Sequence, residues 1–267
     1  MSNRIGVISP VDGEVYVERA LAGDRDIAAA LNQAGRAQEE WRRVPVAERA
    51  AVLSRGIDVF VARRDEIARE LTWQMGRPIR YTPNEVRGFE ERARYMIEVA
   101  EEALADLQVG EKAGFTRFIR KVPLGVAFVI APWNYPYLTA VNGVVPALMA
   151  GNAVILKHSA QTPLCAERMG EAFAEGGLPV GVFQHLHLSH DDAARIIDSG
   201  QVDFVSFTGS VPGGHGVQEA ASRRFLAVGL ELGGKDPAYV RQDADLAHAI
   251  ENLADGAFFN SGQSCCA

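Results

Sequence analysis

Five short stretches of this chain gather the side chains that could do chemistry. They are Ala131-Pro132-Trp133-Asn134-Tyr135-Pro136, then Lys157-His158-Ser159, then Thr208-Gly209-Ser210-Val211-Pro212-Gly213-Gly214, then Glu231-Leu232-Gly233-Gly234-Lys235, and finally Asn260-Ser261-Gly262-Gln263-Ser264-Cys265-Cys266-Ala267. They hold one group of each kind that covalent catalysis on a carbonyl requires. A thiol can attack as a nucleophile, a carboxylate can serve as general base, and a side-chain amide can donate to a developing oxyanion. Each also has a plainer reading: a small buried hydrophobe, an ordinary surface carboxylate, or an asparagine in a turn before a helix. Taken singly, the residues leave both readings open. The chain has three cysteines, two of them adjacent, which is no disulfide framework. Cys165 stands among apolar residues near a helix start and reads as core.

The elements that must position these stretches can be read from periodicity. Ile27, Leu31, Ala34, Ala37 and Trp41 fall at helical spacing, so the first part of the chain reads as helical. Pro45 suits a helix start, with Leu53, Ile57, Phe60 and Val61 as its apolar stripe. A helix near Asp65–Met75 ends at Gly76. Thr82-Pro83-Asn84-Glu85 predicts a capping box, with Thr82 capping and Glu85 reaching back. Near residues 110–125 the period changes, and Phe115, Arg117, Ile119 and Lys121 suggest a strand or hairpin.

From there strand, turn and helix alternate. The expected strands are Val126–Ile130, Ala153–Lys157, Val182–Leu186, Phe204–Thr208 and Phe225–Leu230, all short and apolar, as suits a parallel sheet buried on both faces. Thr162-Pro163 starts a helix that Gly176-Gly177 ends, Ser189 starts another that ends at Gly200, and a last helix runs over about 244–259. The fold class is therefore α/β: a doubly wound, mainly parallel sheet preceded by N-terminal helices. In such a sheet ligands bind beyond the C-terminal strand ends, where the chemistry-bearing stretches arrive.

Composition narrows the function classes. The 267 residues are 48% hydrophobic and 23% charged, with a net charge of −7. Without a basic block, neither nucleic acid nor an anionic membrane is an expected partner. The N-terminus carries no charged head followed by an apolar stretch, and no apolar run reaches the ~20 residues of a bilayer span. A cytoplasmic protein is the expectation. No metal-ligand cluster stands out.

Pro-Trp-Asn, Gly-Asn-x-Val-x-Leu-Lys, Phe-Thr-Gly-Ser, Glu-Leu-Gly-Gly-Lys and Gly-Gln-x-Cys occur in that order along essentially the whole chain. Each is weak alone; the ordered set resembles the aldehyde dehydrogenase superfamily. The resemblance implies a domain of residues 1–230, comprising the N-terminal helices, an oligomerisation-type hairpin near 110–125 and an NAD(P)-binding sheet. Residues 231–267 would begin a catalytic domain. It implies Cys265 as nucleophile, Glu231 as general base and Asn134 as oxyanion donor, with Cys266 a spacer. Pro132, Trp133, Lys157, Gly209, Ser210, Gly214 and Gly233 would contact the cofactor, NAD or NADP. Lys157 would meet the adenosine ribose and Ser210 would cap a helix facing the pyrophosphate.

Ala160 departs from the pattern, because many NAD-preferring members carry a glutamate three residues after the lysine. Tolerance of NADP is expected. Gln74-Met75-Gly76-Arg77-Pro78 hints at a succinate-semialdehyde dehydrogenase. The expected function is oxidation of an aldehyde to a carboxylic acid, in a homo-oligomer when full-length. The alternative is an inactive remnant that binds dinucleotide or a full-length subunit. A polypeptide ending at Ala267 is expected to have little or no dehydrogenase activity, since the remainder of a catalytic domain would be missing.

Overall fold

The computed structural model describes residues 4–265. An antiparallel hairpin comes first, β1 (Arg4–Ile8) with β2 (Val15–Ala20), ahead of the helices that periodicity predicted. These helices are α1 (Asp24–Trp41), α2 (Val46–Ala62), α3 (Arg64–Met75), α4 (Thr82–Glu98) and the short α5 (Ala100–Leu104). Two residues of β3 (Leu107–Gln108) then pair antiparallel with β4 (Phe118–Ile119).

The alternating region follows: β5 (Val126–Ala131), α6 (Pro136–Met149), β6 (Ala153–His158), α7 (Pro163–Glu175), β7 (Phe183–His185), α8 (His190–Asp198), β8 (Phe204–Gly209), α9 (Val211–Ser222) and β9 (Ala227–Leu232). After it come α10 (Leu246–Phe258) and a 3-10 turn over Phe259–Gly262. The five strands β5 to β9 form one parallel sheet in the order β7-β6-β5-β8-β9. The chain starts at the centre, winds outward to β7, then returns to the other side of β5. The strand order thus reverses between β5 and β8, the place where sheets of this kind form a ligand crevice beyond their C-terminal strand ends.

The two central strands explain the layering. Their side chains point alternately to opposite faces. Ala127, Val129, Ala131, Val154 and Leu156 join a core with Leu53, Phe60, Phe89, Tyr137 and Phe173 from α2, α4, α6 and α7. Val126, Phe128, Ile130, Ala153 and Ile155 join the opposite core with Ile27, Leu31, Ile196, Val205 and Val217. Helices α1 to α4 are therefore part of the sheet's covering. Trp41 marks the join, donating from Nε1 to the Leu148 carbonyl at 2.9 Å. Helices α2 and α7 come close enough that a Cβ on Gly176 would lie 2.4 Å from the Gly56 nitrogen. No helix among the described residues is long and apolar enough to cross a membrane.

Local signals were read correctly at several ends. Gly76 terminates α3 at φ 78°, Ser189 caps α8 by accepting from Asp192 N, and Ser210 caps α9 by accepting from Gly213 N. Two expectations fail. The capping box at Thr82 does not form: Thr82 Oγ1 donates to the Ile79 carbonyl and makes no cap, while Glu85 is buried with other partners. The last strand begins at Ala227 rather than Phe225, which sits fully exposed at φ 54°. It is an edge strand, half-exposed along its length rather than buried on both faces, and among the described residues β8 is its one neighbour in the sheet.

Candidate active site

The loop after β5 carries Pro132, Trp133, Asn134 and Tyr135 into the first turn of α6, with Pro136 at its first position. Pro136 has no N–H to satisfy, but the next amides do. Tyr137 N and Leu138 N both donate to Glu85 Oε1, at 3.1 and 3.0 Å. The other oxygen, Oε2, accepts from Arg77 Nη1 at 2.5 Å, and both side chains of this ion pair are almost wholly buried. Arg77 lies over the Tyr135 ring, 4.6 Å from its centroid, and donates through Nε to Asn260 Oδ1 at 2.5 Å.

Asn260 opens the loop that leads to Cys265. It and Ser261 adopt left-handed backbone, at φ 51° and 59°, followed by Gly262 at 72°. Asparagine tolerates that region through its short polar side chain, and glycine does so without penalty. Asn260 Nδ2 donates to the Asn134 carbonyl at 2.9 Å. Asn134 Nδ2 in turn donates to the Gln263 carbonyl at 2.7 Å, and the Tyr135 hydroxyl meets Ser264 Oγ at 2.7 Å. Cys265 is half-buried at the end of this laced pair of loops. Cys266 and Ala267 lie outside the described residues. Cys165, by contrast, is sealed in the core at the start of α7, where burial pushes its thiol well above the usual range.

The other stretches arrive at the same edge of the sheet. Lys157 and His158 end β6, and both are buried. The only described polar contact of Lys157 Nζ is a long one, 3.4 Å to the His158 carbonyl, and burial lowers its pKa. An ammonium held away from water with so little hydrogen bonding suits a polyhydroxyl or phosphate ligand. Gly209 ends β8, and Ser210 caps α9. Helix α9 seats closely on the sheet: a Cβ on Gly214 would lie 2.7 Å from Leu232 Cδ2. Its N-terminal amides are thereby fixed beside the crevice, where an anion would be favoured. Gly233, bonded to the Gly209 carbonyl at 3.0 Å, is exposed, with open space where a side chain would be. The site thus fits a dinucleotide.

A model of the aldehyde dehydrogenase family matches residues 1–267. The chain belongs to the aldehyde dehydrogenase family. Succinate-semialdehyde dehydrogenase (NADP(+)) 1 of Mycobacterium tuberculosis is 35% identical over 268 residues, covering 98% of this chain and 58% of that protein. A probable succinate-semialdehyde dehydrogenase of Synechocystis is also 35% identical, over 263 residues and with the same coverage. The chain therefore spans a little over half the length of the curated relatives it matches. Among solved structures, succinic semialdehyde dehydrogenase from Streptococcus pyogenes in complex with NADP+ aligns with a TM-score of 0.92 at 29% identity. It is covered over 57% of its chain and covers 98% of this one. PnpE in complex with nicotinamide adenine dinucleotide aligns with a TM-score of 0.93 at 31% identity, with 54% of its chain covered and 98% of this one.

Within this aldehyde dehydrogenase fold, two of the three expected catalytic residues share one hydrogen-bonded unit: Asn134 and the loop of Cys265. Glu231 belongs to a different element. It is the penultimate residue of the edge strand β9, exposed, in register with Thr208 of β8. Arg77, Glu85, Tyr135 and Asn260 were missed as site residues. Arg77 was noticed only as part of a hint about substrate, and Glu85 was assigned to a cap. No local signal marked Arg77 and Glu85, because their segment also carries exposed residues such as Ile79, Arg80 and Tyr81.

Proposed function

We propose that the protein oxidises an aldehyde, of the semialdehyde kind, to a carboxylic acid with NAD or NADP through a covalent intermediate on Cys265. The observation that carries this reading is the 2.7 Å hydrogen bond from Asn134 Nδ2 to the Gln263 carbonyl, two residues before that thiol. It ties the amide to the segment that carries the proposed nucleophile, and the amide keeps a second N–H for an incoming oxygen.

In this mechanism the Cys265 thiolate attacks the aldehyde carbon, and the C=O electrons move to oxygen. Asn134 donates to that oxyanion in the resulting thiohemiacetal. A nicotinamide held beyond the strand ends would supply the hydride acceptor, and loss of hydride from the same carbon would leave a thioester on Cys265. Glu231 takes a proton from water, which attacks the thioester carbon. The acid leaves, and the sulfur returns to its starting state. Lys157 would hold the adenosine ribose, and the α9 amides behind Ser210 would hold the pyrophosphate. Pro132, Trp133, Gly209, Gly214 and Gly233 would line the rest of the dinucleotide's path. Ala160 offers no carboxylate to repel a 2′-phosphate, which favours acceptance of NADP. The semialdehyde assignment rests on the 35%-identical relatives, which are succinate-semialdehyde dehydrogenases.

The test is formation of reduced nicotinamide when the polypeptide, as expressed from its gene, is given succinate semialdehyde and either cofactor. Turnover that disappears in Cys265→Ser supports the reading. Turnover that survives this substitution rules out the covalent route, and its absence in the parent rules out the activity.

A further inference from the structure

We propose that Arg77 is a positioning residue of this reaction, holding the loop of Asn134 and the loop of Cys265 at a fixed separation through its buried pair with Glu85. The inference rests on the roles given above to Asn134 and Cys265.

One ion pair grips both loops. Glu85 Oε1 takes the first two N–H groups of α6, and so fixes where the chain emerges after Asn134. Glu85 Oε2 binds Arg77 Nη1, and the Nε of the same guanidinium binds Asn260 Oδ1. Asn260 then closes the circuit, because its Nδ2 donates to the Asn134 carbonyl. The Arg77 fork is planar and rigid, so the direction towards Glu85 fixes the direction towards Asn260. A lysine is a point charge on a flexible stem and would neutralise Glu85 without registering Asn260.

Stability alone accounts poorly for this arrangement. Burying a charge pair carries a desolvation penalty that often cancels its attraction. The contacts are better understood as geometric. Asn260 and Ser261 are held in left-handed backbone, and this sharp turn aims Gln263 at Asn134 and Ser264 at Tyr135. A displacement of about 1 Å between reacting groups can lower a rate by about 10²-fold.

Two variants test the proposal. Asn260→Gly keeps the left-handed turn and leaves the Arg77–Glu85 pair intact while removing both amide contacts. Arg77→Lys keeps the charge and removes the fork. The expected result in each is a kcat lower by about 10²-fold with KM for the dinucleotide changed far less, since Lys157, Ser210 and Gly233 lie on other strand ends and only Pro132 and Trp133 share the Asn134 loop. Unchanged kcat in a folded Asn260→Gly protein overturns the proposal, as does full activity in Arg77→Lys. If Arg77→Lys fails to fold, Asn260→Gly alone decides.

A readout independent of turnover separates this inference from the functional reading. Iodoacetamide labelling of Cys265 is followed in a Cys266→Ser background. A several-fold change in labelling rate on Asn260→Gly supports the positioning role even if the parent oxidises no aldehyde, in which case the functional reading alone has failed. Equal labelling in such an inactive parent and its variant overturns the positioning role.

Discussion

Asn134 donates from its side chain to the carbonyl of Gln263 at 2.7 Å, although the two residues lie on loops 129 positions apart in the chain. The contact ties the turn after the central strand β5 to the approach of Cys265. If the second N–H of Asn134 receives the oxyanion, Asn134→Ala should lower kcat by about 10²–10³-fold. Binding of the dinucleotide should largely persist, because most of its expected contacts lie at the ends of β6, β8 and β9 and the substitution leaves Pro132 and Trp133 in place. Steady-state kinetics and a cofactor titration on the same preparation measure both. Parallel losses in turnover and cofactor affinity would instead point to a collapsed loop.

Glu231 should act at a different step from Asn134, and its separate position at the end of β9 makes that distinguishable. Glu231→Gln should leave the first hydride transfer largely intact and slow release of the acid. Rapid-mixing measurements should then show a burst of reduced nicotinamide about equal to the enzyme, followed by a steady state slower by about 10²–10⁴-fold. A burst that vanishes would place Glu231 at or before the attack of Cys265.

The sheet was legible because β5 and β6 are continuous apolar runs, and no helix of that length is bounded so closely by turn residues. The glycines and serines at the helix ends gave their own positions, as at Gly76 and Ser189. The approach to Cys265 and the Asn134 turn were readable as motifs whose resemblance implied a shared site, but the hydrogen bond that joins them was not, since no local signal encodes a contact across more than a hundred residues. The Arg77–Glu85 pair illustrates the limit best. Thr82-Pro83-Asn84-Glu85 has the spacing of a capping box, and local chemistry alone favours one. Tertiary packing overrides it: α6 brings two unsatisfied amides and Arg77 brings a charge, so Glu85 turns inward. The opening hairpin β1–β2 was missed because its alternation is short and weak: in β1 Ile5 and Val7 turn inward between exposed neighbours, and β2 is nowhere more than half-buried.

Cofactor choice should depend on Ala160, which follows the end of β6 two residues after His158. A glutamate there would face a 2′-phosphate with like charge. Ala160→Glu is therefore expected to lower kcat/KM for NADP relative to NAD by about 10-fold or more, as for unfavourable charge juxtapositions of at least 1.4 kcal/mol. The check is the ratio of kcat/KM for the two cofactors in parent and variant. An unchanged ratio would place the 2′-position away from residue 160.

Stability should fall on acidification in a window set by His158. Its Nδ1 accepts from Ser159 N at 3.0 Å, so the ring proton belongs on Nε2, which lies 3.1 Å from the Pro136 carbonyl it can donate to. The neutral ring is satisfied, and burial holds its pKa down to about 4 against an ordinary 6.5. Below pH 6.5 the unfolded chain binds a proton that the folded chain refuses, so the folded state loses ground as pH falls towards 4, and this contribution levels off below that. The full effect is on the order of 3 kcal/mol. Glu167 extends the loss at lower pH. Burial raises its pKa, but hydrogen bonds from His187 and Arg19 outweigh that and hold it at about 2, against 4.5 ordinarily. Its contribution is present above pH 4.5 and disappears as pH falls towards 2. Denaturant midpoints measured from pH 7 to pH 2 should show one decline between 6.5 and 4 and a second below 4.5. In His158→Gln, which removes the titrating ring, that decline should flatten while the step below pH 4.5 remains. A decline of equal depth in parent and variant would assign the acid sensitivity to other groups.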